Sequence, residues 1–493
     1  MRSCSGAAVR MTDFQPMLPE IAGLASDSRE VGPGYLFAAL QGTRSDGASF
    51  IGEAVRRGAS AVLGMPSLRS QAESLGVRFI ADSNPRERLA KIAAQYFGAQ
   101  PGIVAAITGT SGKTSVSVFL RQIWQCEGLR AASLGTIGLV SPAGRMELDH
   151  TTPDAITLHR LLAALEHDGI EHLVLEASSH GLDQYRLDGV RIAAAAFTNI
   201  GRDHMDYHPD FAHYLAAKLR LFELVKQGGV AAVNADAAHA QDFIRLARQR
   251  KLKLVTVGQS GETLRLVSRT PEGEGQLLEI ACRGELHRVM LPLVGDFQAA
   301  NALLAAAIAI GLGDPAECVL AVLARLKGAP GRLEKVAYAS AGAPIYVDYA
   351  HKPDALECVL RTLRPHVAGR LHLVFGCGGD RDRGKRSIMG GIAARLADSV
   401  IVTDDNPRTE NPDEIRGQVM EGCPDAAEIG DRAEAIRAAI AVLEPGDVLV
   451  IAGKGHESGQ IVGEETRPFL DADVALKAAL AAGGREAEHE ATA

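Results

Sequence analysis

Short apolar runs that end at polar residues recur along most of the chain and predict buried β-strands. From Ile21 to about Gln100, runs such as GYLFAAL, SAVLGM and VRFIAD alternate with Ala-, Arg- and Glu-rich helical patterns. This alternation predicts a small α/β domain. Pro101 and Gly102 then interrupt the pattern, so we predict a first domain over residues 1–101.

From Ile103 onward the apolar runs become longer and more uniform. IVAAIT, HLVLEAS, AAAAFTNI and GVAAVNAD are separated by helical patterns, which is typical of a parallel sheet with crossover helices. Ligands of such sheets gather at the carboxyl ends of the strands. The β-rich segment from Leu252 to Leu293 is expected to add antiparallel strands to the same domain. We therefore predict a central domain over residues 102–330.

A second series of strand-then-loop patterns follows the central domain. PIYVDYA, LHLVFGC, SVIVTDD and DVLVIAGK predict a doubly wound, Rossmann-like domain over residues 331–493. The final residues, from about 483, have the composition of a disordered tail. The fold class predicted for the whole chain is α/β with three domains.

Composition restricts the class of partner. The 493 residues include 60 acidic and 52 basic ones, a net charge of -8, which gives no global basic field for a nucleic-acid partner. Apolar runs stay short of the ~20 residues that span a bilayer, so no membrane insertion is expected. The N-terminal residues lack the apolar region of a secretory signal, and Met11 is an alternative start.

The cysteines indicate a reducing compartment. There are 7 of them, an odd number, with no C-x-x-C pair, which favours neither a disulfide framework nor a zinc ribbon. We expect a cytoplasmic monomer that acts on small soluble substrates.

The segment AAITGTSGKTSVSVFL, residues 105–120, contains a shortened phosphate-binding loop. A common P-loop has a glycine five positions before Gly112, where this chain has Ile107. A strand precedes the loop and a helix is predicted from near Lys113, so backbone N–H groups would face a phosphate. Lys113 would meet the β- and γ-phosphates and Thr114 would hold Mg²⁺. The alternative is a Gly/Ser turn before an ordinary helix.

Carboxylates and histidines follow the next strands. Glu176 ends the run HLVLE, where a second Mg²⁺ ligand belongs, although a carboxylate that caps the next helix would look the same. The run TNIGRDHMDYH places Asp203, His204, Asp206 and His208 at the end of a further strand. Such density favours a polynuclear metal site.

Lys218 lies among apolar residues in the helical segment HYLAAKLRLFE. By itself, this pattern favours a surface lysine whose stem lies along apolar surface.

Three polar segments of the third domain each follow a strand and so share one edge of its sheet. They are VDYAHKPDALE, GCGGDRDRGKR and TDDNPRTE. Arginine, asparagine and aspartate concentrated in this way favour a site for a zwitterionic ligand over a solvated face.

Seven motifs, in order along nearly the whole chain, resemble those of the Mur ligases of peptidoglycan synthesis. They are GTSGKT, EASSHGL, NIGRDHMDYH, GDFQAANALLA, PGRLE, DYAHKPDAL and DDNPR. The resemblance implies a three-domain Mur ligase architecture: a UDP-muramoyl-recognition domain, a central P-loop ATPase domain with a parallel sheet, and an amino-acid-recognition domain. It also implies an ATP- and Mg²⁺-dependent ligase that adds meso-diaminopimelate to UDP-N-acetylmuramoyl-L-alanyl-D-glutamate through an acyl phosphate.

The resemblance assigns roles to individual positions of this chain. For catalysis it implies Lys113, His204 and Lys218, the last as a carbamylated lysine. For the metal it implies Thr114, Glu176, His204 and the Lys218 carbamate. For ATP it implies Gly109, Thr110, Ser111, Gly112, Lys113, Thr114, Ser115, Asn301, Arg332, Asp348 and His351. For the muramoyl dipeptide it implies Ser28, Thr43, Arg44, Ser45, Thr151, Thr152, Ser178, Gln184 and Arg186. For diaminopimelate it implies Arg381, Asp405, Asn406, Pro407, Arg408, Gly453 and Glu457.

Two departures from the family pattern concern nucleotide affinity. Lys352, beside His351, stands where threonine is expected, and Gln298 and Ala299 vary the usual GxFNxxN run. Neither departure falls on a position assigned to the chemistry.

Two other functions remain to be distinguished from the ligase. A folylpolyglutamate-type synthase is disfavoured by DDNPR and by the SDSR segment of the first domain. A regulatory nucleotide-binding module without catalysis is disfavoured because the lysines, the glutamate and the histidine assigned to the chemistry are all present.

Overall fold

The computed structural model describes residues 21–42, 46–201 and 203–487. Their strands form sheets of four, eleven, seven and two strands. The predicted α/β class is confirmed, because parallel strands alternate with helices in each of the large sheets.

The first sheet has four parallel strands in sequential order. Helix α3, which follows this sheet, begins where the sequence supplies both start signals: the Asn84 side chain accepts from the Glu87 N–H, and Pro85 takes the first helical position. The strands are β1 Gly23–Ala25, β2 Tyr35–Ala38, β3 Ala61–Gly64 and β4 Arg78–Ala81; the helices are α1 Ile51–Arg56, α2 Arg69–Ser74 and α3 Pro85–Phe97.

The central sheet has eleven strands in the order β15-β14-β13-β12-β11-β10-β5-β9-β6-β7-β8. Its middle strands are parallel, while β14 and β15 run antiparallel beyond β13, as the β-rich segment predicts. The strands are β5 Ile103–Thr108, β6 Ala131–Gly135, β7 Gly138–Ser141, β8 Gly144–Met146, β9 His172–Glu176, β10 Ile192–Phe197, β11 Val230–Asn234, β12 Lys253–Gly258, β13 Leu264–Glu272, β14 Gly275–Cys282 and β15 Glu285–Leu291.

Helices cover both faces of the central sheet. Helix α9 is apolar on all sides and is almost entirely buried, packing with α4 in one core cluster. Across the described ranges, no helix is long and apolar enough to cross a membrane. The helices of this part are α4 Lys113–Cys126, α5 Ala155–His167, α6 Ser179–Asp183, α7 Phe211–Glu223, α8 Ala240–Gln249, α9 Asp296–Leu312 and α10 Ala316–Val322.

The third sheet has the order β20-β19-β18-β21-β17-β16-β24. The five strands from β20 to β17 in this order are parallel. At one edge, β16 pairs antiparallel with both β17 and β24. The strands are β16 Glu334–Tyr338, β17 Pro344–Asp348, β18 Leu371–Phe375, β19 Ser399–Val402, β20 Ala427–Glu428, β21 Val448–Ala452 and β24 Arg485–Glu486, with the hairpin β22 Gly459–Val462 and β23 Glu465–Pro468 beside them. The helices are α11 Pro353–Leu363, α12 Lys385–Leu396, α13 Pro412–Met420, α14 Arg432–Ala441 and α15 Asp471–Ala481.

The prediction of a disordered tail from about residue 483 is wrong for residues 483–487. Arg485 and Glu486 pair with Tyr338 and Ala337 at the sheet edge, and the Arg485 guanidinium lies 4.0 Å from the centre of the Tyr338 ring. Composition alone misses such an edge strand, because the pairing partner lies far away in the sequence. Residues 488–493 lie outside the described part.

A buried ion pair joins the starts of two helices in the third domain. Arg432 opens α14 and Asp471 opens α15; both side chains are fully buried, and two N–O distances of 2.7 Å join them. The arginine also donates to the Ala452 carbonyl at the end of β21 at 3.0 Å. The pair therefore fixes the helices relative to the carboxyl edge of the sheet.

We predict that Asp471→Ala destabilises the third domain by about 3–5 kcal/mol, because it leaves the Arg432 charge buried without its partner. Asp473→Ala, on the exposed side of the same helix, is the matched control and should change stability by less than about 1 kcal/mol. Scanning calorimetry of both variants measures the effect. Equal losses in the two variants would contradict the structural role of the pair.

Candidate active site

The loop between β5 and α4 has a backbone that only glycine can follow at two points. Gly109 has φ 147° and Gly112 has φ 86°, values that L side chains rarely adopt. A Cβ on Gly109 would lie 1.8 Å from Thr198 Oγ1. The helix begins at Lys113, as predicted, so its first N–H groups, which lack partners within the helix, face the loop. We call residues 108–115 the phosphate loop.

The end of strand β10 holds the phosphate loop in place. The Thr110 N–H donates to the Asn199 carbonyl at 2.9 Å, and the Ser111 N–H donates to Asn199 Oδ1 at 3.1 Å. Thr198 Oγ1 donates to the Ser111 carbonyl at 2.6 Å. The loop is thus anchored by hydrogen bonds to a strand about ninety positions away.

Two lysines converge on the phosphate loop. Lys113 Nζ donates to the carbonyls of Gly109 at 2.9 Å and Thr110 at 3.0 Å, and Lys218 Nζ donates to the Gly109 carbonyl at 2.8 Å. Lys218 is only 1% exposed and its Nζ lies 4.5 Å from the centre of the Tyr214 ring. The interpretation of Lys218 as a surface lysine is therefore wrong.

The two ammonium groups oppose each other electrostatically. Burial lowers the pKa of Lys113 from its ordinary value, and Glu176 works against that shift. Burial also holds the pKa of Lys218 well below its ordinary value; Lys113 lowers it further, while Asp203 opposes the change. Burial therefore disfavours the ammonium form of Lys218 relative to the neutral amine.

Glu176 lies at the carboxyl end of β9 and is only 1% exposed. Its Oε1 accepts from the Thr136 N–H at 2.9 Å and its Oε2 from Thr136 Oγ1 at 3.0 Å. A Cβ on Gly135 would come within 2.2 Å of Oε1. The next helix is capped by Ser178, which accepts from the Gly181 N–H, so the interpretation of Glu176 as a cap is wrong.

Three histidines form a cluster of rings: His180 on α6, and His204 and His208 after β10. The His180 ring lies 4.9 Å from that of His204 and 5.8 Å from that of His208. Burial lowers the pKa of His180 to about 4, with the neighbouring histidines adding to the effect. Asp203 is engaged with Lys352. In the described part of the chain, no group of three or more His, Cys, Asp or Glu side chains is arranged to hold a metal; the polynuclear site stays a prediction.

Residues predicted to contact the nucleotide approach the loop from α9 and from the third domain. A Cβ on Gly112 would lie 2.5 Å from Asn301 Oδ1, so Asn301 packs directly against the loop. The Arg332 guanidinium lies 4.5 Å from the centre of the Tyr349 ring. His351 Nδ1 lies 2.8 Å from the Tyr349 carbonyl oxygen. The positive charge of Arg332 adds to the lowering of the Lys113 pKa by burial.

Asp348 anchors the segment that carries these residues. Its carboxylate accepts from the Leu333 N–H at 2.7 Å and from the Ala350 N–H at 2.8 Å. Burial raises the pKa of Asp348 to about 6, with Arg332 and the two backbone donors opposing the rise. The carboxylate thus connects the interdomain segment to the end of β17.

Four residues predicted to hold the muramoyl dipeptide form one hydrogen-bond network. Thr152 Oγ1 and Ser178 Oγ are 3.0 Å apart. Arg186 donates to the Thr152 carbonyl at 2.6 Å and to Gln184 Oε1 at 2.8 Å. Gln184 in turn donates to the Tyr207 hydroxyl at 3.2 Å. These side chains are therefore mutually positioned beside the end of β9.

The other dipeptide positions lie apart from that network or outside the described residues. Thr151 Oγ1 lies 3.2 Å from Thr136 Oγ1. Ser28, in the first sheet's domain, donates to Glu53 Oε2 at 2.9 Å. Thr43, Arg44 and Ser45 lie outside the described residues.

A buried lysine orients two polar side chains of the third domain, Asn406 and Glu457. Lys454 Nζ, on a fully buried side chain, donates to Asn406 Oδ1 and to Glu457 Oε2, both at 3.1 Å. The Ile461 N–H also donates to Asn406 Oδ1, at 2.9 Å. The Asn406 amide N–H₂ therefore points to Glu457 Oε2, 2.9 Å away.

The turn at residues 405–408 is tightly constrained. Arg408 has φ 52°, a left-handed conformation that is uncommon for this residue type. Its Nη1 donates to the Gly379 carbonyl at 2.8 Å, and a Cβ on Gly379 would lie 1.9 Å from the Pro407 carbonyl oxygen. Gly453 has φ 116°, and a Cβ there would lie 2.8 Å from Asp405 Oδ2.

A pocket of ≈ 360 Å³ lies at the interdomain segment, and a second, of ≈ 290 Å³, lies between the β6–β8 region and the 405–408 turn. The second pocket brings together three of the predicted diaminopimelate residues: Asn406, Arg408 and Glu457. Arg381, by contrast, is exposed and is not among the residues that line it. We call the second cavity the interdomain pocket; the remaining lining residues are Thr136, Ile137, Gly138, Arg145, Glu147, Leu148, His456, Ser458, Gly459, Ile461 and Thr466.

Sequence reasoning missed four polar residues of this region: Thr136, Arg145, Lys454 and His456. Lys454 and His456 stand in the AGKGHE run, so that motif was an available signal for both. Burial, with Arg332 and Arg145, lowers the pKa of His456 to about 4. Thr136 and Arg145 have no comparable signal, because their role depends on which strands meet the third domain.

Three family models match successive parts of the chain. They are described as "Mur ligase family, catalytic domain" over residues 20–97, "Mur ligase middle domain" over residues 107–309 and "Mur ligase, glutamate ligase domain" over residues 331–455. Together they cover most of the sequence.

Individual relatives agree with these models. A Bradyrhizobium diazoefficiens protein named UDP-N-acetylmuramoyl-L-alanyl-D-glutamate--2,6-diaminopimelate ligase is 55% identical over 94% of this chain and 95% of its own. A solved structure of a ligase with the same name has a TM-score of 0.71 and 34% identity, covering 94% of this chain and 95% of that one. A Mycobacterium tuberculosis folylpolyglutamate synthase shares the fold alone, with a TM-score of 0.60 and 20% identity over 75% of this chain and 92% of that one. The chain belongs to the Mur ligase family.

Proposed function

We propose that this protein uses ATP to join meso-diaminopimelate to UDP-N-acetylmuramoyl-L-alanyl-D-glutamate in peptidoglycan precursor synthesis. The observation that carries the proposal is the position of Thr136. This residue donates twice to Glu176, beside the phosphate loop, and it also lines the interdomain pocket that contains Asn406 and Arg408. An amino acid bound in that pocket would thus lie close to a group activated at the loop.

The three sheets support three domains with separate tasks. They occupy residues 23–81, 103–291 and 334–486, which is compatible with domains over 1–101, 102–330 and 331–493. The first would hold the uridine end of the nucleotide substrate through Ser28 and residues 43–45. The second would bind ATP, and the third would bind the amino acid.

ATP would bind across the phosphate loop and the third domain. Residues 109–115 would hold the phosphates, because the N–H groups in the first turn of α4 have no partners within the helix and the positive end of a helix favours anions there. Asn301, Arg332, Asp348 and His351 would surround the rest of the nucleotide.

A magnesium ion fits the oxygen-rich side of the phosphate loop. Mg²⁺ prefers few protein ligands, all of them hard oxygens, with the remainder supplied by phosphate and water. Thr114 and the buried Glu176 carboxylate offer such oxygens, and a carbamate on Lys218 would add another. His204, a nitrogen ligand, completes the proposed set. The ion would neutralise charge on the transferring phosphoryl group.

Lys218 is proposed to carry a carbamate. Its buried, electrostatically disfavoured ammonium tends to lose a proton, and the neutral amine is the form that attacks carbon dioxide. The product would be a carbamate anion close to the Gly109 carbonyl and to the Lys113 ammonium. This anion could bind the same magnesium ion as Thr114 and Glu176.

The reaction would proceed in two displacements. An oxygen of the D-glutamyl γ-carboxylate attacks the γ-phosphorus of ATP, and ADP leaves. The neutral amine of diaminopimelate then attacks the acyl carbon, inorganic phosphate leaves, and the amine loses a proton. Lys113 would stabilise the charge on the phosphoryl group during the first step. Keeping water from the acyl phosphate and orienting the amine would favour the second step.

The turn at residues 405–408 would select diaminopimelate. The planar Arg408 guanidinium can bind a carboxylate through two hydrogen bonds, and the Asn406 amide lies beside it. Glu457 and Gly453 would receive the ammonium and backbone groups of the ligand, with Asp405 and Pro407 shaping the turn. Arg381, which does not line the pocket, would add a positive charge for binding diaminopimelate. We also propose that the protein works as a cytoplasmic monomer on small molecules, without nucleic-acid or membrane partners.

The product of the reaction tests the function directly, and Lys113 tests the role of the loop. With ATP, the muramoyl dipeptide nucleotide and diaminopimelate, mass spectrometry should detect the tripeptide nucleotide together with ADP; a glutamyl-extended folate, or no product, would favour the alternatives.

Lys113→Ala should lower turnover at least ~100-fold, because this lysine stabilises charge mainly in the transition state.

Lys226, an exposed lysine of the same domain, provides the control for Lys113, and Lys226→Ala should retain full activity. If purified Lys113→Ala keeps more than about a tenth of wild-type turnover at saturating ATP, the role given to the loop is wrong.

Lys218→Ala should be almost inactive and should regain activity with added acetate or formate, since a short carboxylate can replace the carbamate oxygens. Steady-state rates over a range of carboxylate concentrations measure the rescue. Lys113→Ala removes a cation and no anion, so added carboxylates should not rescue it under the same conditions. Rescue of Lys218→Ala by short amines in place of carboxylates would show that the lysine acts as an ammonium.

Arg408→Ala should weaken diaminopimelate strongly, because truncating one member of a desolvated charge pair costs ~2–5 kcal/mol. Lysine, which lacks the second carboxylate, should gain little from the change. The measurement is kcat/KM for both amino acids, with Arg467→Ala, an exposed arginine on the neighbouring hairpin, as control. A wild-type preference for lysine, or unchanged diaminopimelate efficiency in Arg408→Ala, would overturn the assignment.

A further inference from the structure

An ion pair joins the central domain to the third domain beside the phosphate loop. Lys352 Nζ lies 2.6 Å from Asp203 Oδ1. Asp203 follows β10 of the eleven-stranded sheet, and Lys352 follows β17 of the seven-stranded sheet. The two residues are 149 positions apart in the chain, so the contact depends on how the domains are placed.

Lys352 occupies a position at which another residue type would stabilise its own helix. It is the N-cap of α11, with φ -126° and ψ 153°, and its side chain makes no capping hydrogen bond. Serine, threonine, asparagine and aspartate are favoured at such positions, because their side-chain oxygen accepts a helix N–H; a lysine ammonium has no acceptor. At a position that favours a helix-capping side chain, this chain therefore has a lysine, and that lysine pairs with Asp203 of the other domain.

Both partners are held by their own surroundings. The His204 N–H donates to Asp203 Oδ1 at 3.0 Å. On the other side, Lys385 Nζ donates to the His351 carbonyl, next to Lys352, at 2.7 Å. The Asp203 side chain is 21% exposed and that of Lys352 is 49% exposed, so solvent screens the pair only in part.

The pair lies beside the phosphate loop. The Gly201 N–H, two residues before Asp203, donates to Thr110 Oγ1 in the loop at 3.0 Å.

We propose that Lys352 is a positioning residue whose ion pair with Asp203 holds the third domain, with Arg332 and His351, against the phosphate loop. The role in catalysis rests on the proposed function, whereas the role in domain placement does not. Losing the pair would lower the fraction of molecules with the domains correctly apposed. It would remove no side chain from the lining of the interdomain pocket.

The first experiment measures domain placement without any substrate. Amide hydrogen exchange of the ligand-free chain, followed by mass spectrometry, compares wild type, Lys352→Ala, Asp203→Asn and the double variant. Segments 203–210 and 349–356 should exchange faster in all three variants, and to the same extent, because each removes the same contact.

The control for the exchange experiment is Lys91→Ala. Lys91 pairs with Glu87 inside a single helix, so its loss removes a lysine–carboxylate pair away from the boundary between the central and third domains. It should leave segments 203–210 and 349–356 unchanged. Unchanged exchange in Lys352→Ala, or faster exchange in only the segment that carries the substitution, would overturn the proposal.

The second experiment separates positioning from helix stability. Lys352→Thr should cap α11 and keep or raise the thermal midpoint of the third domain, yet it should raise KM for ATP about two- to five-fold, the range expected for a partly exposed ion pair. The value of kcat should change less than KM. The Asp203→Asn and double variants should show the same KM for ATP as Lys352→Thr within error. If the increases in KM of the two single variants multiply in the double variant, the two residues do not act through one ion pair.

The two experiments distinguish the possible failures. If wild type makes no product, the proposed function fails, and hydrogen exchange still decides whether the pair places the domains. If exchange responds but KM for ATP does not, the pair holds the domains without positioning the nucleotide residues, which contradicts the catalytic part of the proposal.

Discussion

The phosphate loop rests directly on the end of strand β10, and the rest of the site depends on that contact. Gly109 approaches Thr198 so closely that no side chain could fit, and the Thr110 and Ser111 N–H groups are fixed by Asn199. Because the loop is short, this anchoring also fixes the point where α4 begins. The positions of Lys113 and Thr114 relative to Glu176 therefore follow from the packing of β5 between β9 and β10.

The third-domain side of the interdomain pocket depends on buried cations as well as on close contacts at glycines. Lys454 orients Asn406 and Glu457, and Arg432 joins Asp471 to the end of β21. A buried charge without partners would be unfavourable, so each cation requires its surrounding oxygens to remain in place. This requirement explains how an irregular turn, with a left-handed arginine at residue 408, is held in one conformation.

The two halves of the site meet through a few contacts between domains. Ser458 donates to Glu147 at 2.9 Å, and Lys352 pairs with Asp203. Both contacts involve exposed or partly exposed side chains, which bind weakly in water. Contacts of this strength can form and break as substrates enter and products leave, whereas the loop and the turn stay rigid within their own domains.

The sequence by itself determined the elements that depend on local periodicity and local chemistry. Apolar runs located β5, β9, β10 and β21, the Gly-Lys-Thr run located the start of α4, and the ordered motifs indicated the family. These signals lie within a few residues of the structures they predict.

Only the tertiary structure decided how distant residues meet. An apolar helical segment could not show that Lys218 is buried against Gly109, a carbonyl more than a hundred positions away. Composition could not show that residues 485–486 extend a sheet, nor could the DHMDYH run show that Asp203 faces a lysine of another domain. In each case the partner is chosen by packing between elements that are remote in the chain, and such packing leaves no periodic signal in either segment.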